Sequence, residues 1–165
     1  MQSKEEGVNI ILLNLEPAEP VEPPFTAMQG DATALTLFAN QSIDIVFSNS
    51  VIEHLYTWEN QQKMAAEVLR VGKHHFIQTP NYWFPIEPHW VFPFFQYLPK
   101  ALRCYMTQHF ALGHIGKIPN RELAKAQVEE IQLLTQTALK QLFPSSSLYK
   151  EKYAGLNKSF IAHSF

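Results

Sequence analysis

Glu53 and His54 stand side by side in the stretch SIDIVFSNSVIEHL (42–55), shortly after three small polar residues, Ser48, Asn49 and Ser50. A carboxylate beside an imidazole is, by residue type, equipment for general acid–base chemistry. Adjacent residues on a helix point in different directions, so the two are expected to diverge, with His54 serving as a structural histidine. Tyr82 and His89 lie in an aromatic run and are the other groups with chemical reach. His74 and His75 are adjacent at a strand start, which speaks against a metal role. No His/Cys spacing resembles a zinc site, so no metal ligand is expected. Cys104 has no local partner and reads as a core or cap residue. Asp31 after Gly30 reads as a turn residue. Ser48-Asn49-Ser50 reads as a helix N-cap, a role compatible with a binding one.

The elements that must position these groups can be read from apolar patterning. The run NIILLNL (9–15) is nearly continuous and reads as a strand buried on both faces. EPAEPVEPP (16–24) is too rich in proline for helix or central strand and is expected as an extended surface loop. A short strand is expected over 25–29, then a loop or helical turn over 33–40, then a strand over 43–47. Residues 58–71 place Met64, Val68 and Val71 at helical spacing, widened by Ala65 and Leu69, with Gly72 as a helix-ending glycine. A strand over 75–78 stops at Thr79-Pro80. Residues 121–143 read as one amphipathic helix with Ile131, Leu134, Ala138 and Leu142 on one face, ended by Pro144. Residues 148–153 and 159–164 flank Ala154-Gly155 and read as a closing antiparallel hairpin.

This order predicts an α/β fold, mostly parallel with an antiparallel edge. Such sheets bind ligands beyond the carboxyl ends of their strands. Those ends here are 14–16, 30–32, 48–50 and 79–81, and each places small or polar residues after an apolar run.

The 165 residues are expected to form a single domain (1–165). With 46% hydrophobic and 17% charged residues, wholesale disorder is excluded. A net charge of −2 gives no electrostatic reason to expect nucleic acid as a partner. One cysteine cannot form an internal disulfide, so a reducing, cytoplasmic setting is expected. The polar, acidic start (1–17) lacks the apolar core of a signal peptide. The apolar stretch 81–102 is broken by Pro85, Pro88, Pro93 and Pro99 and carries Glu87 and His89, so no transmembrane segment is expected.

GDAT (30–33), SIDIVFSNSVIEHL (42–55), EVLRVGK (67–73), HFIQTPN (75–81) and the C-terminal LFPSSSLYKEKYAGLNKSFIAHSF (142–165) together resemble a class I S-adenosylmethionine-dependent methyltransferase, and more narrowly the type 11 domains. The resemblance runs from about residue 8 to the end. It implies a Rossmann-like fold with an antiparallel C-terminal hairpin and S-adenosyl-L-methionine as cofactor. Asn14 matches the position that bonds the ribose hydroxyls, with Glu16 able to supply the usual acid. Asp31 and Ala32 match the adenine contacts. Asn49 and Ser50 match the floor under the methionine portion, with Val51 packing nearby.

Members of this family begin with a strand that ends in a glycine-rich loop of the GxGxG sort. The sequence has no such motif, so an N-terminally truncated domain lacking the first strand and loop is expected. Two functions follow from the resemblance. One is methyl transfer to a small or lipid-like acceptor, compromised by the missing loop. The other is a non-catalytic interaction module or degenerate fragment that binds a partner, including a second copy, through an open sheet edge. The catalytic residue is unknown, and His54, Tyr82 and His89 are the candidates for acceptor contact or proton removal. An aromatic, proline-rich cap insert (81–120) is expected to cover the acceptor or else only the sheet edge. Contact with a membrane surface is a further expectation, although Lys100 and Arg103 are the only basic residues near its rings.

Overall fold

The computed structural model describes residues 7–17 and 21–165. The proline-rich loop and the polar N-terminal stretch therefore lie partly outside the described residues. Strands β1 (Ile10–Asn14) and β2 (Phe25–Gln29) form a parallel pair, with Asn14 opposite Gln29. Strand β3 (Ile43–Asn49), helix α1 (Trp58–Val71) and strand β4 (Gly72–Pro80) make a βαβ unit whose strands run parallel, Asn49 opposite Gln78. After β4 come a small ribbon, β5 (Ile86–Glu87) with β6 (Phe92–Pro93), and three helices: α2 (Lys100–His109), α3 (Arg121–Glu130) and α4 (Gln136–Leu142). Strands β7 (Ser147–Tyr153) and β8 (Leu156–His163) close the chain as a hairpin. β8 pairs antiparallel with β4, giving the order β3-β4-β8-β7. This is a Rossmann-like arrangement with an antiparallel C-terminal hairpin. Ala154 and Gly155 both take positive φ (49° and 81°), the backbone a tight hairpin turn requires.

Two apolar cores hold these parts. Met64, Ala65 and Val68 of α1 pack with Ile77, Phe160 and Ala162 of the sheet and with Leu139, Leu142 and Phe143. Full burial of the larger of these side chains, the alanines apart, stabilises by about 1.5–3 kcal/mol each. The second core stacks Trp90 on Phe95 (ring centroids 4.4 Å apart) against Val128 and Ile131. Trp90 Nε1 donates to Thr107 Oγ1 at 3.0 Å, which satisfies its buried polar edge.

Local chemistry sets the boundaries. Thr57 caps α1 by accepting from Asn60 N. Arg70 donates to the carbonyls of Leu35 and Phe38, and Glu67 accepts from Leu35 N, so α1 clamps the loop over 33–40. Gln61, buried in α1, donates through Nε2 to Ile52 O (3.1 Å) and Gln132 O (2.9 Å).

Four expectations are corrected. The helix over 121–143 is two helices. Residues 131–135 leave the helical path so that Leu134 bridges Asn81 and Gln132 N donates to Glu53 O, and Thr135 then caps α4 by accepting from Ala138 N. Gly72 is not a left-handed helix terminator: it is extended (φ −89°, ψ 134°) and opens β4. Its lack of a side chain answers a close approach, since a Cβ there would meet Val46 Cγ2 at 2.8 Å. Helix α2 was not foreseen. Finally, β1 is not buried on both faces, because Ile11 and Leu12 are exposed. Among the described residues, β1 pairs only with β2 and β3 only with β4. A gap of about 400 Å³ separates the two sets, walled by Leu12 and Leu13 on one side and by Val46 and Phe47 on the other.

Candidate functional site

The polar strand ends close two parallel pairs, Asn14 opposite Gln29 in one and Asn49 opposite Gln78 in the other. Asn14 closes β1, and its carbonyl accepts from Gly30 N at 2.8 Å, beside Asp31. Asp31 uses Oδ1 to accept from Thr33 N and Thr33 Oγ1 (2.7 and 2.8 Å), a self-contained turn that leaves Oδ2 for another donor. Ala32 reaches inward and lines the gap between the two strand sets, as do Asn49 and Ser48. The Ser48 hydroxyl is buried with no partner. Ser50 holds a left-handed backbone (φ 54°), with its N and Oγ both donating to Gln78 Oε1 (3.1 and 3.0 Å). Backbone held in that region stores about 1–3 kcal/mol and clusters at functional sites.

Asn49 and Ser50 also border a larger cleft of about 880 Å³ on the open face of the sheet. Phe47, Phe76, Phe84, Ile86, Val91 and Tyr153 give it a mainly apolar wall, with Lys158 and Glu151 at its edge. Of the three catalytic candidates, Tyr82 stands apart: it packs edge-on against Trp83 and Tyr97 and lines a separate small cavity with Glu87 and Trp90.

His54 and His89 do meet, with Nε2 atoms 3.1 Å apart. His54 Nδ1 faces Glu130 Oε1 at 3.0 Å, and His89 Nδ1 faces Glu87 Oε1 at 2.6 Å. Glu53 is fully buried. Its Oε2 accepts from Thr79 Oγ1 at 3.0 Å, and its Oε1 has no partner. The expected divergence of Glu53 and His54 is thus overturned. They sit on a single 3-10 turn (Ile52–His54), and both side chains reach His89 from the aromatic segment. Burial pushes the Glu53 carboxyl above its ordinary value, against the opposing pull of its own backbone N–H, Thr79 and the two histidines. Burial alone would lower His89, but the hydrogen bond and charge of Glu87, with Glu53 and Glu130, leave it raised. Sequence reasoning missed Glu87, Glu130 and Thr79. Only the Glu87-Pro88-His89 spacing carried a local hint.

Residues 7–75 match the model of the family described as a methyltransferase domain. That span holds β1, β2, β3 and α1, together with three of the four polar strand ends. Within those 69 of the 165 residues the chain is similar to that family. The chain is 31% identical over 106 residues to an uncharacterized protein in each of two Mycobacterium tuberculosis strains, CDC 1551 / Oshkosh and ATCC 25618 / H37Rv. Each match takes in 64% of this chain and 33% of the relative, so the chain spans about a third of the length of the curated relatives it matches. Among solved structures, a possible exported protein from Bordetella parapertussis shares the fold, with a TM-score of 0.57 at 12% identity over 95% of this chain and 53% of that one. A SAM-dependent methyltransferase from Methanosarcina mazei overlays at a TM-score of 0.43 and 13% identity, covering 84% of this chain and 66% of that one. Among the described residues no helix is long and apolar enough to cross a membrane.

Proposed function

We propose that the polar strand ends form one rim that binds S-adenosylmethionine and that the cleft beside it receives a small apolar or lipid-like methyl acceptor. One observation carries this reading: Ala32 and Asn49, from turns of different strand sets, wall one gap that also holds the partnerless hydroxyl of Ser48. The donors and acceptors suit an adenosyl group: Asp31 Oδ2 for an exocyclic amine, the Asn14 amide or Glu16 for ribose hydroxyls, and Asn49 and Ser50 beneath the methionine chain. When bound, the cofactor supplies an electrophilic methyl carbon. The chain's task is to hold donor and acceptor in line and keep water out. The aromatic segment (81–120) does the latter as a cap, with Phe84, Ile86 and Val91 facing the cleft. None of the candidates for acceptor contact, His54, Tyr82 and His89, is among the residues that line the cleft, although His89 follows Pro88, which is. The single thiol suits a cytoplasmic setting.

Titration calorimetry of the chain with S-adenosylhomocysteine tests the reading. Saturable binding is expected, weakened about tenfold by Asp31→Ala, the loss of one hydrogen bond. An unsubstituted, folded chain that shows no saturable heat at millimolar ligand refutes it.

The edges of β1 and β3 that have no partner among the described residues favour a second reading, in which the gap takes a further parallel strand from a partner chain. Sedimentation velocity with a single monomeric species at every concentration removes a second copy as that partner.

A further inference from the structure

Outside the rim, two histidine rings and a buried carboxylate converge. The Nδ1 atoms of His54 and His89 each face a carboxylate, an acceptor-only partner, so each Nδ1 carries the proton. The two Nε2 atoms face each other across 3.1 Å. A proton held between the two nitrogens as an N–H···N bond fits that distance, and so does a metal ion bound by both. A carboxylate oxygen of Glu53 joins them, and the three ligand atoms lie within 4.8 Å of one another. Glu53 is fully buried with Oε1 unpartnered, which leaves a buried carboxyl oxygen without a donor or a cation.

The supporting groups are themselves fixed. Glu87, 2% exposed, accepts from the backbone N–H groups of His89 (2.8 Å) and Trp90 (2.7 Å) through its other oxygen. Glu130 Oε2 accepts from Gln127 Nε2 at 3.2 Å. A carboxylate behind the distal nitrogen of each histidine is the arrangement that orients imidazole ligands on a metal.

We propose that Glu53, His54 and His89 form a divalent transition-metal site, with zinc the best-suited ion, bound by the two Nε2 atoms and one Glu53 carboxylate oxygen. Two nitrogens on a tetrahedral zinc at about 2.0–2.1 Å stand about 3.3 Å apart. The observed 3.1 Å is close to that value, and the carboxylate needs to close by at most about 1.5 Å. Two histidines and one carboxylate leave a fourth position for water or a ligand oxygen. It is reachable, because the side chains of His54 and His89 are 32% and 17% exposed. Three carboxyl groups, of Glu53, Glu87 and Glu130, surround the two imidazoles, an acidic setting suited to a dication. Two of those ligands lie on the chain just after β3 and the third in the aromatic segment, so the ion would fasten that segment to the sheet.

The test uses the full chain, stripped with chelator and titrated with ZnCl₂ by calorimetry and thermal shift. One equivalent binding with a dissociation constant of about 1 µM or tighter is expected, with a rise in melting temperature that Mg²⁺ does not reproduce. X-ray absorption of the zinc-loaded chain is expected to show two imidazole nitrogens and oxygen ligands. His89→Ala and the isosteric Glu53→Gln should each weaken binding at least 100-fold, and the orienting Glu87→Gln about 10–100-fold. Circular dichroism confirms that each variant is folded, and Glu53→Gln serves where His89→Ala is not. His163→Ala, on the far hairpin, should bind as the parent does. Zinc binding weaker than about 100 µM, unchanged binding in Glu53→Gln and His89→Ala, or loss of binding in His163→Ala overturns the assignment.

Discussion

Replacing Gln61 by methionine keeps side-chain length and approximate volume while removing both donors of its amide. In the parent, Nε2 holds two carbonyls at once, Ile52 O at 3.1 Å inside the core and Gln132 O at 2.9 Å in the break between α3 and α4. Neither gains a replacement donor from a thioether. Stranding the Ile52 carbonyl costs about 1–3 kcal/mol and the part-buried Gln132 carbonyl about 1 kcal/mol, for a total of about 2–4 kcal/mol. For a chain of this length each kcal/mol lowers the melting temperature by about 2–4 °C, so a fall of about 5–15 °C is expected. Thermal and urea unfolding followed by circular dichroism measure it. Gln62→Met, on the exposed side of the same helix, is the control and should shift stability by less than about 0.5 kcal/mol. If the Gln61 and Gln62 variants melt together, the bridging amide does not hold the two segments and the reasoning fails.

Two further outcomes are expected. Burial, with repulsion from His163 and His74, pushes the His75 imidazole below its usual value. The unfolded chain therefore binds that proton more readily, so His75 costs nothing above about pH 6.5 and destabilises as pH falls below it. The drop in melting temperature from about pH 7.5 to 5.5 should be shallower in His75→Gln than in the parent, and equal slopes would exclude His75 as the source. Gly72→Ala places a methyl group 2.8 Å from Val46 Cγ2 and 2.9 Å from His74 O, and should cost about 1–3 kcal/mol by urea midpoint; an unchanged midpoint would mean that β3 and β4 can separate freely there.

Much of the sheet was legible because its signals are local. The 58–71 helix matched at both ends, where Thr57 supplies a cap and the apolar positions keep helical period. The 25–29 strand and the closing hairpin were bounded by glycine and turn residues. The break between α3 and α4 was hidden because Ile131, Leu134, Ala138 and Leu142 keep a helical period across it. What breaks the helix is remote: a bridge from Leu134 to Asn81 and a bond from Gln132 to Glu53. Burial of β1 was misjudged because its composition speaks of a neighbour on each side, while the described residues supply one. The His54–His89 encounter was invisible for the same reason of distance. Spacing along the chain says nothing about a contact made by folding the aromatic segment back over the turn after β3.

The stretch from Ile131 to Leu134 is anchored twice within four residues, Ile131 in the core around Trp90 and Leu134 in the core around Ile77. Adding or removing one residue there would throw the two cores out of step by a full backbone unit, and neither could repack without the other letting go. Sequence drift can alter what that tether is made of, but natural variants should be seen to conserve its number of links.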